Sequence, residues 1–237
     1  MLNVIILAAG KSKRYGTANK LLELDGGGQP IIKRLIRQLC GPQITVTVVC
    51  GYDLKRVRRQ AMAALITNGG EDDSIVYNPQ WHQGSCSSLK IGIQNCLRPI
   101  TDKLLIVEGD LLAHHDTIEE VKYICARANE SVLFASRGES LRDRTLGITA
   151  PGRIAGAQQC VYAMSGMMMV HGRALKLILD QFSVDQTIED CYYFQAIIDH
   201  NVSMFVHKLM GRSWTFNTPI QLQAAKSALN YSLTCNQ

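Results

Sequence analysis

The stretch Leu2-Asn3-Val4-Ile5-Ile6-Leu7-Ala8-Ala9-Gly10-Lys11-Ser12-Lys13-Arg14-Tyr15-Gly16, followed by Asn19-Lys20-Leu21-Leu22, decides how the rest of the chain is read. Its first half is almost unbroken apolar sequence without the in/out alternation of a half-solvated strand. It therefore reads as a parallel strand covered on both faces that stops at Gly10 and enters a loop. Open α/β sheets bind ligands beyond the carboxyl ends of such strands. Similar runs recur at Ile44 to Cys50, Ser74 to Tyr77, Leu104 to Val107 and Val132 to Ala135, with helical patterns at about 31–40, 54–66, 86–97 and 116–128 between them. This alternation predicts a three-layer, open, mostly parallel sheet with helices on both faces, a Rossmann-like α/β fold.

Beyond residue 136 the alternation loosens. Ser136 to Ser140 and Ala150 to Arg153 read as loop and turn, short strands are expected at 145–149 and 164–170, and helices at about 171–181, 188–200 and 218–229. With no repeat, low-complexity tract or Pro-rich linker, residues 1–237 are expected to form one domain, the second half covering one end of the sheet and completing a cleft.

Composition narrows the function classes. A hydrophobic share of 46% against 19% charged residues excludes a disordered chain. The net charge of +5 attracts anions, but the densest basic cluster, Lys55-Arg56-Val57-Arg58-Arg59, falls in a helix and reads as a solvated face, so no nucleic-acid partner is expected. No apolar run approaches a membrane span, and Leu2 to Ala9 is too short and too closely followed by a basic turn for a signal peptide, so no membrane insertion is expected. The eight cysteines include no C-x-x-C pair and read as reduced, mostly buried thiols, in keeping with a cytoplasmic protein.

Gly10-Lys11-Ser12 is not a P-loop, because position 5, where the first glycine of that motif would stand, is Ile. Nor is it the dinucleotide fingerprint, since Ser12 holds the second glycine's place. What remains is a small-residue turn whose backbone amides can meet an anion, with Lys11, Lys13, Arg14 and Lys20 nearby. Asn78-Pro79-Gln80-Trp81-His82-Gln83-Gly84-Ser85-Cys86-Ser87-Ser88-Leu89 precedes a helix whose serines can cap it and can also offer donors and acceptors. In Glu108-Gly109-Asp110 a carboxylate follows the end of a parallel strand. His114 and His115 read as surface loop, and the run Met167-Met168-Met169 as core.

Together these segments resemble the nucleotidyltransferases of the nucleoside-diphosphate-sugar and alcohol-phosphate kind, which include sugar-phosphate, phosphocholine, inositol-phosphate and molybdenum-cofactor (MobA-like) enzymes. The pattern L-A-A-G-x-S-x-R-x-G, then N-K-L-L, and Gly28-Gln29-Pro30-Ile31-Ile32 at a helix start carry the likeness. The resemblance implies that Leu7, Ala8, Ala9, Gly10, Lys11 and Ser12 wrap the phosphates of an NTP, and that Arg14 and Lys20 stabilise charge at the α-phosphorus. It implies that Asn78, Gly84, Ser87 and Ser88 belong to the base-reading segment, and that Asp110 holds Mg²⁺. Gly211-Arg212-Ser213-Trp214-Thr215-Phe216-Asn217-Thr218-Pro219 is similar to the family's G-x-x-W-x-E-I-D-T-P stretch, which puts Asn217 in the place of a second metal ligand, with an amide oxygen where a carboxylate is common. Ser165 and Gly166 match a small-residue pair that lines the acceptor pocket. Phe194-Gln195 stand where choline-type members carry an acidic pair.

The resemblance divides the domain into an NTP-binding half, 1–136, and an acceptor-binding half, 137–237. It implies a Mg²⁺-dependent transfer of NMP, with CTP the favoured donor, to a sugar, polyol or alcohol phosphate, releasing pyrophosphate. The alternatives are a glycosyltransferase of the same fold, which Glu108-Gly109-Asp110 half fits, and a non-catalytic nucleotide-binding protein, which Asn217 would suit. A homodimer is compatible with the sequence.

Overall fold

The computed structural model describes residues 1–69, 74–95, 103–136, 147–149, 153–155, 162–183 and 204–234. The expected core strands form β1 (Leu2–Ala8), β2 (Ile44–Cys50), β3 (Ile75–Tyr77), β4 (Lys103–Glu108) and β6 (Ser131–Ser136), with β5 (Leu112–Ala113) between the last two. They are joined by α1 (Ile31–Leu39), α2 (Leu54–Thr67), α3 (Ser85–Gln94) and α4 (His115–Arg127). The later part adds β7 (Gly147–Thr149), β8 (Arg153–Ala155), β9 (Tyr162–His171), α5 (Gly172–Ser183), β10 (Met204–Lys208), β11 (Ser213–Trp214) and α6 (Pro219–Thr234). The helix expected at about 188–200 lies outside the described residues.

The main sheet runs β10-β6-β9-β4-β1-β2-β3. β1 pairs in parallel with both β2 and β4, and β2 with β3, whereas β9 is antiparallel to β4 and β6. The sequence of β1 follows from its central place. Val4, Ile6 and Ala8 point to the side packed by α1, α2 and α4, and Ile5 to the side packed by α3 and α5. Both sides are buried, so both need apolar residues, and the run cannot alternate. In α1 the buried positions Ile31, Ile32, Leu35, Ile36 and Leu39 make one stripe at helical spacing.

The Met run belongs to the core on both faces of β9: Met167 and Met169 pack with α1, α2 and α4, and Met168 with α3 and α5. Among the described cysteines, Cys40, Cys50, Cys86 and Cys125 are free thiols. Burial pushes the Cys50 and Cys125 thiols up to about 12, against weaker opposing charges from Arg58 and Lys103. They stay protonated at pH 8 and should resist alkylation in the native protein, since the thiolate is the nucleophile. Mass-spectrometric mapping after iodoacetamide treatment checks this; labelling of Cys50 without denaturant would contradict it.

A third apolar cluster closes the carboxyl end of the sheet. Tyr15, Ile31, Leu112, Phe216, Leu222, Ala225 and Leu229 bury against one another and fix α6 there. The segment leading to it is held on α4. His207 Nε2 and Glu120 Oε1 lie 2.8 Å apart, and the Met210 amide donates to both Glu120 oxygens at 3.2 and 3.1 Å. β11 then pairs with β5, which follows directly on Asp110 and Leu111.

Candidate active site

β1 and β4 end side by side, and their loops make the site floor. The Gly109 amide donates to the Leu7 carbonyl at 3.0 Å, and the Tyr52 amide to the Ala9 carbonyl at 2.9 Å, so the end of β1 is tied to both neighbours before Gly10 leaves the sheet. The approach at Gly109 is so close that a β-carbon there would lie 2.7 Å from the Leu7 carbonyl oxygen and 3.1 Å from Ala8 Cα. Both obstacles are backbone and cannot turn aside. Gly109→Ala should cost about 1–3 kcal/mol and spread the ends of β1 and β4; denaturant melts of the pair of proteins test this.

After Gly10 the chain turns through Ser12, which has a left-handed φ of 57°, into a short 3-10 turn at Lys13–Tyr15. Tyr15 is buried and meets the Phe216 ring edge-on at 5.9 Å, which anchors the turn that bears Arg14. A second 3-10 turn, Lys20–Leu22, is capped by Asn19, whose side chain accepts from the Leu21 amide at 3.1 Å. That cap sets the direction of Lys20. Its ammonium makes an ion pair with Asp110 and donates to the Phe216 carbonyl at 3.1 Å. Lys20, Asp110 and the residue before Asn217 are thus drawn together from distant parts of the sequence, and Arg14 lies near enough to act on the charge of Glu108. Asn217 itself is half-buried, its amide donating to Gln221 Oε1 at 2.7 Å.

Asn78 is fully buried and braces the segment after β3. Its Nδ2 donates to Ser87 Oγ at 2.9 Å and Ser88 Oγ at 3.0 Å, and its Oδ1 accepts from the Gln80 amide. Ser88 is buried as well, and Ser87 Oγ donates to the Gly84 carbonyl at 2.8 Å. Gly84, not a serine, holds the cap position of α3. Asn78, Ser87 and Ser88 therefore spend hydrogen-bonding capacity on one another and on the loop's shape.

Ser165 and Gly166 sit at a break in the β6–β9 register, beside the end of β4. Gly166 has φ +76°, and a β-carbon on it would lie 2.9 Å from Thr215 Cγ2 and 3.3 Å from Glu108 Oε2. Glu108 is the group that the sequence reading quoted but left without a role. Solvent reaches its side chain, yet neighbouring protein atoms crowd it. That crowding, followed by the charge of Asp110, lifts its carboxyl to about 7 against the opposing pull of Lys20 and Arg14. The signal that could have found it is a carboxylate ending an otherwise apolar core strand. A second unforeseen feature is the aromatic pair Tyr52–Trp81, 5.5 Å apart, with the Lys11 ammonium 5.4 Å from the Tyr52 ring.

Among the described residues no three His, Cys, Asp or Glu side chains gather into a closed metal site. The oxygen donors Asp110 and Asn217 nevertheless suit a hard cation that completes its shell with phosphate oxygens and water.

Residues 4–187 match the model of the MobA-like NTP transferase domain. Three solved structures share the fold. The inositol-1-phosphate CTP transferase of T. maritima is 17% identical, with a TM-score of 0.72 and 96% of each chain covered. A proposed glucose-1-phosphate thymidylyltransferase of Bacillus anthracis is 16% identical, with a TM-score of 0.73 over 97% of this chain and 95% of its own. The CTP:phosphocholine cytidylyltransferase of Streptococcus pneumoniae is 15% identical, with a TM-score of 0.70 over 96% of this chain and 99% of its own. No curated protein matches the sequence at a significant level.

Proposed function

The chain belongs to the MobA-like NTP transferase family, and from that premise we propose that it transfers a nucleoside monophosphate, CMP in preference, from an NTP to a small phosphorylated acceptor with release of pyrophosphate. The observation that carries this reading is the convergence of Lys20, Asp110 and the Phe216 carbonyl beside the Gly10 turn. Two of the three solved structures above are named for CTP-dependent enzymes and one for a thymidylyltransferase, which supports CTP as the first donor to test.

In the reaction, an acceptor phosphate oxygen bonds to the α-phosphorus as the bond to the pyrophosphate oxygen breaks. The attacking oxygen is already anionic, so the protein needs neither a nucleophile nor a base, and its task is positioning and charge stabilisation. The amides of the Gly10 to Ser12 turn receive phosphate oxygens, with Lys11 at its mouth. Arg14 and Lys20 neutralise the charge that grows around the α-phosphorus. Asn78, Gly84, Ser87 and Ser88 shape the base-reading segment, with Asn78 and Ser88 acting through the loop. Residues 1–136 hold the nucleotide, and residues 137–237 contribute the acceptor side through Ser165 and Gly166. Asp110 and Asn217 would hold Mg²⁺, which when bound draws charge from the phosphates. No helix among the described residues is long and apolar enough to cross a membrane.

The test is pyrophosphate release with each of the four NTPs against sugar, polyol and alcohol phosphates, with and without Mg²⁺. CTP-dependent, Mg²⁺-dependent release is expected. Failure of every NTP and acceptor pair would overturn the reading.

A further inference from the structure

Among the described residues, the Glu108 carboxylate accepts no hydrogen bond and enters no ion pair, although Asp110, two residues on, is paired with Lys20. Ser165 lies on β9, next to the Gly166 that faces Glu108. Its hydroxyl is buried, at 2% residue exposure, and is likewise without a partner. The buried Ser165 hydroxyl, left unsatisfied, costs about 1–3 kcal/mol, whereas the exposed Glu108 carboxylate is open to a ligand arriving from solvent. The break in β9 pairing and the left-handed Gly166 bring this strand onto Glu108, and bulges of this kind next to active sites re-aim side chains. Gly166 leaves open the space where any side chain would press on Glu108 Oε2 and on Thr215. The end of β4, the bend of β9 and the residue just after β11 thus meet at Gly166: Glu108 and the half-buried Thr215 flank it, and Ser165 with its orphaned hydroxyl precedes it.

We propose that Glu108, supported by Ser165, is the specificity-determining residue for the acceptor, taking a hydrogen bond from an O–H or N–H group that the acceptor carries close to its phosphate. This assignment rests on the nucleotidyltransferase reading and deepens it. Carboxylate oxygens accept hydrogen bonds from such groups. Hydroxylated and amino acceptors carry them. A quaternary ammonium brings charge but no N–H, and an acceptor with an added carboxylate brings repulsion. A site built to bond a donor group rejects the analogue that lacks it, since that analogue would cover the carboxylate without pairing it.

The experiment compares kcat/KM with CTP for glycerol 3-phosphate, phosphoethanolamine, phosphocholine and 2-phosphoglycolate. The proteins are the wild type, Glu108→Gln and Ser165→Ala, each checked for an unchanged melting profile. The first two acceptors separate a hydroxyl donor from an ammonium donor, and at least one should exceed the last two by tenfold or more in the wild type. In Glu108→Gln the KM for that acceptor should rise at least tenfold while the KM for CTP moves less than threefold; Ser165→Ala should shift acceptor KM in the same direction by less. Wild-type turnover with no preference for donor-bearing acceptors, an unchanged acceptor KM in Glu108→Gln, or an equal rise in the CTP KM would each overturn the role of Glu108 while leaving the transferase reading in place. Absence of pyrophosphate release with every acceptor would overturn both.

Discussion

Asp110→Asn is expected to lower kcat by a factor on the order of a hundred to a thousand, with the fold retained. The substitution keeps the shape of the side chain and removes its charge, so whatever cation Asp110 holds during turnover loses its anionic anchor. Stability should change too, by less. Asp110 and Lys20 are 9% and 16% exposed, so their pair is largely sheltered from water. Lys20 keeps the Phe216 carbonyl and some solvent, which brings the cost below the 3–5 kcal/mol of breaking a fully buried pair, to about 1–2 kcal/mol. A melting temperature a few degrees lower and a nearly silent activity assay are the expected pair of results. Activity within a few-fold of wild type would remove Asp110 from the site.

Lys20→Ala should have a comparable effect on rate with a different kinetic signature. Charge around the α-phosphorus grows on the way to the transition state, and an ammonium placed for that charge contributes little to ground-state binding. Losing such a contact typically costs about 2.7–4 kcal/mol of transition-state stabilisation, or about a hundred- to a thousandfold in kcat. The KM for the NTP should change little. Steady-state kinetics over a range of NTP at saturating acceptor decide the matter, and a variant altered only in KM would show that Lys20 merely holds substrate.

Much of this architecture was legible in the sequence because burial on two faces leaves a plain mark. The runs at β1, β2 and β4 are apolar throughout, and their helices carry apolar stripes at regular spacing. The elements that escaped lack such a mark. β5 and β11 are two-residue pairings, too short for any period to show. β10 exposes Phe205 at its edge position and places His207 against Glu120, a pattern set by contacts 87 residues apart and not by local alternation. The antiparallel direction of β9 depends on its crossing from the sheet's second half back beside β4, which no local residue specifies. At the candidate site, the glycine turn, Arg14, Lys20 and Asp110 could be named from the family resemblance. The inward bonding of Asn78 and Ser88 could not, because a polar side chain reads the same in sequence whether it faces a ligand or a neighbour. Glu108 was hidden for the opposite reason: its meaning lies in having no neighbour to bond.

The Lys20 contact with the Phe216 carbonyl spans 196 positions of the chain. At synthesis rates of about 5–20 residues per second, Lys20 is made roughly 10–40 seconds before its carbonyl partner. Before that interval is half over the first four strands of the sheet have been made, bearing an ammonium whose final seat has not. Only when the chain has passed Phe216 and α6 can dock on Tyr15 does the lysine acquire its full set of contacts. Completion of the Lys20 contacts thereby waits for a segment made 196 residues later, while most of the sheet beside it is made well before.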